Sequence, residues 1–208
     1  MRLSSESFYP LQAIPGEFAF AVIAEPGPIT LSQNRNPHLA WRDAPEATRS
    51  FALIVHDPDV PSVGTDVNQA GKTVAASLPR VDFTHWLLAN IPATVNEIKA
   101  GAFSDGVTAK GKADNGKFGS QQGLNDYTGW FAGDADMAGN YLGYDGPCPP
   151  WNDERMHHYV FTVYALDVDA LDLPENFTRQ DLLAAMQGHV LSEASLTGRY
   201  TLNPAVAY

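Results

Sequence analysis

Cysteine occurs once in the chain, at Cys148, so there is no internal disulfide framework and no zinc finger built on cysteine. Positive charge is scarce: 13 Lys and Arg face 24 Asp and Glu, a formal net charge of −11. That balance argues against nucleic acid, which needs clustered basic side chains, and against docking through polybasic segments on anionic lipid. No apolar run is long enough to span a membrane, and the opening MRLSSESFYP contains no apolar signal core. The expectation is a cytoplasmic protein without an integral membrane segment. Repeats and low-complexity tracts are missing, as are a G-x-S-x-G nucleophile elbow and an H-x-x-x-H pair. What remains describes an ordinary globule. An apolar content of 44% over 208 residues suits a single domain spanning 1–208 with a sizeable core.

One stretch organises the chain, Asn140 to Asp167, NYLGYDGPCPPWNDERMHHYVFTVYALD. Glycine and proline make its first half a stiff loop. Its second half, His158 to Leu166, is β-branched, aromatic and almost uncharged, and reads as a strand buried on both faces. His157 and His158 stand where loop meets strand. The pattern recurs at Phe51–Val55 (FALIV), which runs into HDPDVPS and delivers Asp57 and Asp59 between prolines. It recurs again at His85–Ile91 (HWLLANI), which begins on a histidine and is stopped by Pro92. Three buried strands, each with carboxylate or imidazole at one end, are how a fold presents polar groups at the rim of a pocket.

Around this core, Glu17–Ile23 predicts an early strand closed by EPGP, and 32–41 a polar loop ending on Trp41 as a lid. Residues 63–82 read as an irregular insert, and 96–143 as a functional excursion carrying one or two short strands. Thr178 and Asp181 predict a capping box for a helix with Leu182, Leu183 and Met186 on one face and Gly188 just past its end. Ala194–Leu202 is the last strand. Strands outnumber helices and are not separated by them, so the prediction is a mainly antiparallel β protein with its helices late in the chain.

Four stretches, in this order, are NPHLAW at 36–41, HDPDVPS at 56–62, HWLLANIPA at 85–93, and GYDGPCPP at 143–150 with HHYVFTVYALD at 157–167. Together they resemble the phosphatidylethanolamine-binding protein (PEBP) family, in its bacterial, Raf-kinase-inhibitor-like branch. The resemblance implies an antiparallel β-sandwich, with a large central sheet beside a smaller one, a few peripheral helices including one near the C-terminus, and a small anion-binding pocket at one end. It places Asp57, Asp59, His85, His157 and Tyr159 in that pocket, with Pro58, Cys148, Pro149 and Pro150 as its wall. This chain departs from the family pattern at Val60, where DPDAP has alanine, and at His158, where HRY has arginine; strand alternation turns His158 away from the pocket. WNDERM follows GPCPP without the usual glycine, and the long inserts at 63–82 and 101–142 are expected to reshape the pocket mouth.

The function expected from the resemblance is binding of a small anionic or zwitterionic phosphate-containing ligand, such as a phospholipid headgroup. Eukaryotic relatives extend this to regulation of a protein partner. Two aspartates would repel a bare phosphate, and an ethanolamine headgroup brings its own ammonium, a physical reason for acid and imidazole in one pocket. The alternative is an acid–base enzyme, an isomerase or hydrolase using the same Asp and His residues. A metal site of Asp57, His85 and His157 is a third, compositional reading; no cofactor or metal is expected. The bland readings are an Asx turn closed by Asp57 and Asp59, backbone-satisfied His38 and His56, a helix-end His189, and Cys148 as a small buried filler. Arg155 reaches either an anionic ligand or Asp153 or Glu154. The inserts offer surface for a homodimer, but no sequence feature specifies an interface.

Overall fold

The computed structural model describes residues 1–208. Ten strands are joined by two α-helices and short 3-10 turns. In chain order they are β1 (Arg2–Ser4), β2 (Ala21–Ile23), β3 (Ile29–Leu31), β4 (Leu39–Arg42), β5 (Ser50–Pro61), β6 (Arg80–Pro92), β7 (Glu97–Ile98) and β8 (Gln121–Gln122), then helix α1 (Tyr127–Trp130), β9 (His157–Leu166), helix α2 (Arg179–Met186) and β10 (Val190–Tyr200). The large sheet has the order β10-β9-β5-β6-β8, the smaller one β1-β4-β7, and β2 and β3 form a separate ribbon. Every pairing within them is antiparallel. The fold is therefore mainly β and sandwich-like, and no helix is long and apolar enough to cross a membrane.

The middle stretches of the central strands, Phe51–Val55 of β5 and Trp86–Ala89 of β6, are apolar on both faces because both faces of the large sheet are covered. Phe51, Leu53 and Val55 of β5, Trp86 and Leu88 of β6, and Phe161 and Val163 of β9 pack in one cluster with Leu39, Trp41 and Ile98 of the smaller sheet. The alternate residues Ala52, Ile54, Leu87 and Ala89 meet Phe177, Leu182 and Met186, which come from α2 and its approach. A period of two thus assigns neighbouring residues of a single strand to opposite cores.

Several local expectations need correction. Only Ala21–Ile23 of the predicted early strand is extended; Gly16–Phe18 is a 3-10 turn, held by Phe18 and Ala19 N–H groups on the carbonyls of Pro15 and Gly16. Trp41 is no lid: it lies on β4 and is buried against Phe51 at a ring separation of 5.4 Å. The strand expected over Phe51–Val55 runs on through HDPDVP, as β5, to Pro61. Likewise Arg80–Asp82, assigned to the insert, already belong to β6. The rest of the 63–82 insert is tied down by Asn152, whose side-chain amide donates to the carbonyls of Asp66 and Lys72. The 96–143 excursion holds the two short strands β7 and β8 and the single turn of α1.

Helix α2 starts at the reciprocal capping box of Thr178 and Asp181, and Gly188 lies just past its end with φ of +85°. Leu182 and Met186 are buried, whereas Leu183 points to solvent, 100° round the helix from Leu182. Replacing Thr178 by alanine removes one half of the box and is expected to lower unfolding free energy by about 1 kcal/mol. Leu182→Ala, which empties part of a closed core, is expected to cost roughly 2–5 kcal/mol. Urea denaturation measures both, and a Thr178→Ala midpoint equal to the parent's would mean that the cap carries no stability.

Candidate functional site

Three strands of the large sheet run past the end of the hydrophobic core, and the polar residues lie there. On β5 the inward series Phe51, Leu53, Val55 continues to Asp57; on β9 the inward series Val163, Phe161, Tyr159 continues to His157. Simple alternation would turn His85 of β6 the other way, because Trp86 and Leu88 already face the core. A register shift prevents this: Val55 pairs with Trp86 but His56 with Thr84, so His85 is an extra residue in the ladder. A bulge re-aims a side chain in this way, and here it brings the imidazole round to Asp57 and Tyr159. The rings of His85 and Tyr159 stand edge-on at 5.1 Å.

His157 is fully buried between two carboxylates. Its Nδ1 lies 2.6 Å from Asp57 Oδ2 and its Nε2 3.1 Å from Asp153 Oδ2. Carboxylate oxygens accept, so both ring nitrogens donate and the ring is an imidazolium. Burial opposes that charge, but the Asp57 carboxylate and the hydrogen bonds to Asp153 and Asp57 outweigh it and raise the pKa to about 9. Asp153 in turn takes a two-pronged contact from Arg80, at 2.5 and 3.0 Å. The chain Asp57–His157–Asp153–Arg80 alternates acid and base, so its formal charges cancel. With both nitrogens engaged, His157 offers no lone pair to a metal, which removes one member of the Asp57–His85–His157 metal reading.

His85 is held differently. Its Nδ1 donates to the carbonyl oxygen of Asp145 at 2.7 Å, and Asp145 N–H returns a bond to the His85 carbonyl at 3.0 Å. A carbonyl only accepts, so the proton sits on Nδ1 and Nε2 carries a lone pair. Burial lowers the His85 pKa below its ordinary value, against the opposing pull of Asp57. The Asp145 carboxylate is itself clamped by Asn34 at 2.7 Å, Asn125 at 2.8 Å and Lys112 at 2.6 Å. Those bonds fix the GYDGPCPP loop on which the orientation of His85 depends.

Asp57, His85, His157 and Tyr159 form the polar floor of a cavity of about 390 Å³. Asp57, His85, Cys148, Pro149, Pro150, His157 and Tyr159 all line it; Pro58 and Asp59 do not. A second register shift, between Asp57 and Val60, turns the Asp59 carboxylate outward to His158 Nδ1 at 2.8 Å and Arg155 Nε at 2.9 Å. Asp59 also donates its N–H to Asp57 Oδ1 at 2.8 Å, so an Asx turn coexists with the cavity position of Asp57. The Arg155 guanidinium therefore pairs with Asp59, while its backbone N–H donates to Asp153 Oδ1 at 2.9 Å. Cys148 fits its reading as a filler: burial pushes the thiol up to about 12. The Tyr159 hydroxyl is buried in this wall without a hydrogen-bond partner in the protein.

The supporting residues were not legible individually. Asp153 lies four residues before His157, a spacing without meaning until the loop folds back, and Asp145 was visible only as a letter of the GYDGPCPP motif. The remaining cavity wall comes from Phe20 and the β2–β3 ribbon, from Val60 and Pro61 at the end of β5, from Gly64, Val67 and Asn68 of the first insert, from Phe83, and from Tyr127, Trp130, Phe131 and Met137 of the long insert. Its one sequence signal was the aromatic cluster DYTGWF inside a glycine-rich stretch.

The model of the family described as phosphatidylethanolamine-binding protein matches residues 4–201. The chain belongs to that family. Among relatives, a UPF0098 protein of Methanothermobacter thermautotrophicus is 36% identical over 168 residues, 81% of this chain and 83% of the relative. One from Chlamydia muridarum is 31% identical over 200 residues, covering 96% and 98% of the two chains. Among solved structures, YbcL of Escherichia coli, described as a member of the mammalian PEBP family, aligns with a TM-score of 0.67 at 27% identity, over 96% of this chain and 97% of its own. A PEBP homologue from Chlamydia trachomatis gives 0.64 at 28% identity, over 96% and 95%. PEBP membership accords with the sandwich, with the cavity at one end of the large sheet, and with a ligand-binding protein.

The imidazolium makes stability depend on pH. A pKa raised from 6.5 to about 9 gives His157 a contribution that is complete below pH 6.5 and lost as pH rises through 9. His85 and His56, both lowered by burial, act oppositely and withdraw stability as pH falls below 6.5. Urea unfolding between pH 5 and 10 should therefore peak near pH 6.5 and decline by on the order of 3 kcal/mol toward the alkaline end. Asp57→Asn should lower stability at pH 7 by roughly 3–5 kcal/mol, as expected when a buried pair loses one partner. A parent profile flat from pH 6.5 to 9 would mean that His157 is neutral in the folded protein.

Proposed function

We propose that this PEBP protein binds a small phosphate-bearing ligand whose anionic head sits on the cavity floor among Asp57, His85 and Tyr159, with Cys148, Pro149 and Pro150 as the wall. The observation that carries this reading is that two polar groups, His85 Nε2 and the Tyr159 hydroxyl, have no hydrogen-bond partner in the protein and lie beside the Asp57 carboxylate at the end of a mainly apolar cavity. Asp57 would repel a phosphate, but it is the end of a chain whose formal charges cancel, with the His157 imidazolium 2.6 Å from it. A ligand anion favours uptake of a proton by His85, which then offers Nε2–H to it while Nδ1–H stays on Asp145. The Asp57 carboxylate keeps lone pairs for the ammonium of a zwitterionic head such as phosphoethanolamine. His157 acts indirectly, by neutralising Asp57.

A second reading uses the same atom. The His85 Nε2 lone pair, on a ring whose pKa is lowered by burial, is the acceptor that a general base requires. Turnover of an ester or an enolisable substrate, lost in His85→Ala, would favour the isomerase or hydrolase alternative.

The binding reading is tested by following the imidazole resonances while adding phosphate and then phosphoethanolamine. Saturable shifts of His85 are expected, stronger with phosphoethanolamine, and His85→Ala should weaken binding at least tenfold without loss of fold. Sulfate keeps a constant charge across neutral pH, so its affinity should rise severalfold between pH 7.5 and 5.5 as His85 takes up its proton. Sulfate affinity that is independent of pH, or that survives in His85→Ala, would remove His85 from the site.

A further inference from the structure

The face of the large sheet turned away from the cavity carries a second polar cluster. Asp59, rotated outward by the register shift in β5, holds His158 Nδ1 at 2.8 Å and Arg155 Nε at 2.9 Å. On the neighbouring strand β10, Arg199 is the direct partner of His158. Both side chains therefore rise from the same face, with Cβ atoms about 5 Å apart. Helix α2 packs on Ala52 and Ile54 nearer the middle of that face. At this end the side chains of Arg155 and His158 remain 43% and 40% exposed.

Basic side chains are in the minority in this chain, and most of the half-buried ones are matched. Arg35 holds Glu17, Arg80 holds Asp153 and Arg179 holds Asp82. Arg199, also half-buried, holds no acid, and its Nε is buried without a hydrogen-bond partner. Two guanidinium charges here stand over the single carboxylate of Asp59, which is buried beneath them. The nearby Glu154 carboxylate is turned to the Ala76 N–H at 3.4 Å. The cluster thus has a formal excess of one positive charge before His158 is counted. Unmade hydrogen bonds on a half-buried guanidinium call for an acceptor, and its planar fork matches the two oxygens of a carboxylate.

We infer that Arg155, His158 and Arg199 form a second binding site, on the face of the large sheet opposite the cavity, for one carboxylate group of a ligand. Arg199 supplies its terminal N–H groups, Arg155 the Nη groups that Asp59 leaves over, and His158 its Nε2, since Nδ1 is held by Asp59. A bound carboxylate favours the protonated imidazole, whose Nε2–H then donates to it. A free carboxylic acid and an acidic side chain of a polypeptide present the same group, and the open face admits both. The site shares no side chain with the cavity lining and is independent of the ligand placement proposed above.

NMR of the imidazole and arginine Nε–H resonances tests it, with glutarate, acetyl-Glu-Glu-amide and inorganic phosphate as probes at constant ionic strength. Glutarate is expected to shift His158 and Arg199 saturably, in the parent and in His85→Ala alike. Arg199→Gln and the more exposed Arg155→Gln should each weaken glutarate roughly fivefold, the scale of one exposed ion pair. Should Arg199→Gln fail to fold, Arg155→Gln decides. Tighter binding of the peptide than of glutarate would support the site and assign its carboxylate to a polypeptide; equal or weaker binding would support it and assign a free acid. No saturable shift of His158, or glutarate affinity unchanged in either folded arginine variant, would overturn the site. Shifts confined to His85 and lost in His85→Ala would place the anion in the cavity and overturn the inference. Phosphate binding at His158 more than about tenfold tighter than glutarate, a gap of one tenfold step in affinity, would overturn the carboxylate assignment.

Discussion

The charge on His157 is the constraint on which the rest of the site depends. A fully buried imidazolium is stable only while both of its N–H groups meet carboxylates, and Asp57 and Asp153 supply them from different parts of the chain. Asp57 belongs to β5 and Asp153 to the loop before β9, so the ring joins sheet and loop in one electrostatic unit. Arg80, at the start of β6, closes it from a third element and also donates to the Asp59 carbonyl at 2.9 Å. Removing any member leaves a buried charge without its counterpart, and so the site and local stability cannot be separated here.

The second constraint is the division between the two histidines. His157 is surrounded by acids, carries its proton permanently near neutrality and has no hydrogen-bonding capacity left over. His85 is bonded to a backbone carbonyl, is kept neutral by burial, and retains one free nitrogen. Two imidazoles lining one cavity thus have opposite protonation because carboxylates at both nitrogens outweigh burial at His157, whereas burial prevails at His85. Structural charge and responsive charge are carried by different rings.

Much of the framework was legible in the sequence because it rests on short-range rules. Period-two apolar strands, prolines around Asp57, and a Thr178–Asp181 capping box each act within a few residues. The motif stretches then located Asp57, His85, His157 and Tyr159 together. Trp41 was misread because a polar run, 32–40, hides the fact that its last residues pair with β1 and β7 and face the core. Pro58 and Asp59 were grouped with Asp57 because they are its neighbours in sequence, whereas the register shift rotates Asp59 to the outer side with His158 and Arg155.

The amino-acid sequence by itself determined the class of the fold and the strands that carry it, since local propensity and alternation suffice for these, and its motif stretches marked the residues of the cavity floor. Only the tertiary structure decided which of those residues face one another. The bulge that turns His85 inward depends on β5 pairing with β6, and the neutralisation of Asp57 depends on a loop that brings Asp153 to the far side of His157. The aromatic wall of the cavity depends on the long insert reaching Phe20, with Tyr127 stacked on that ring at 4.7 Å and Phe131 tilted against it at 6.0 Å. Each of these is a contact between segments distant along the chain, where protonation and shape are set by neighbours in space, and adjacency in sequence carries no information about them.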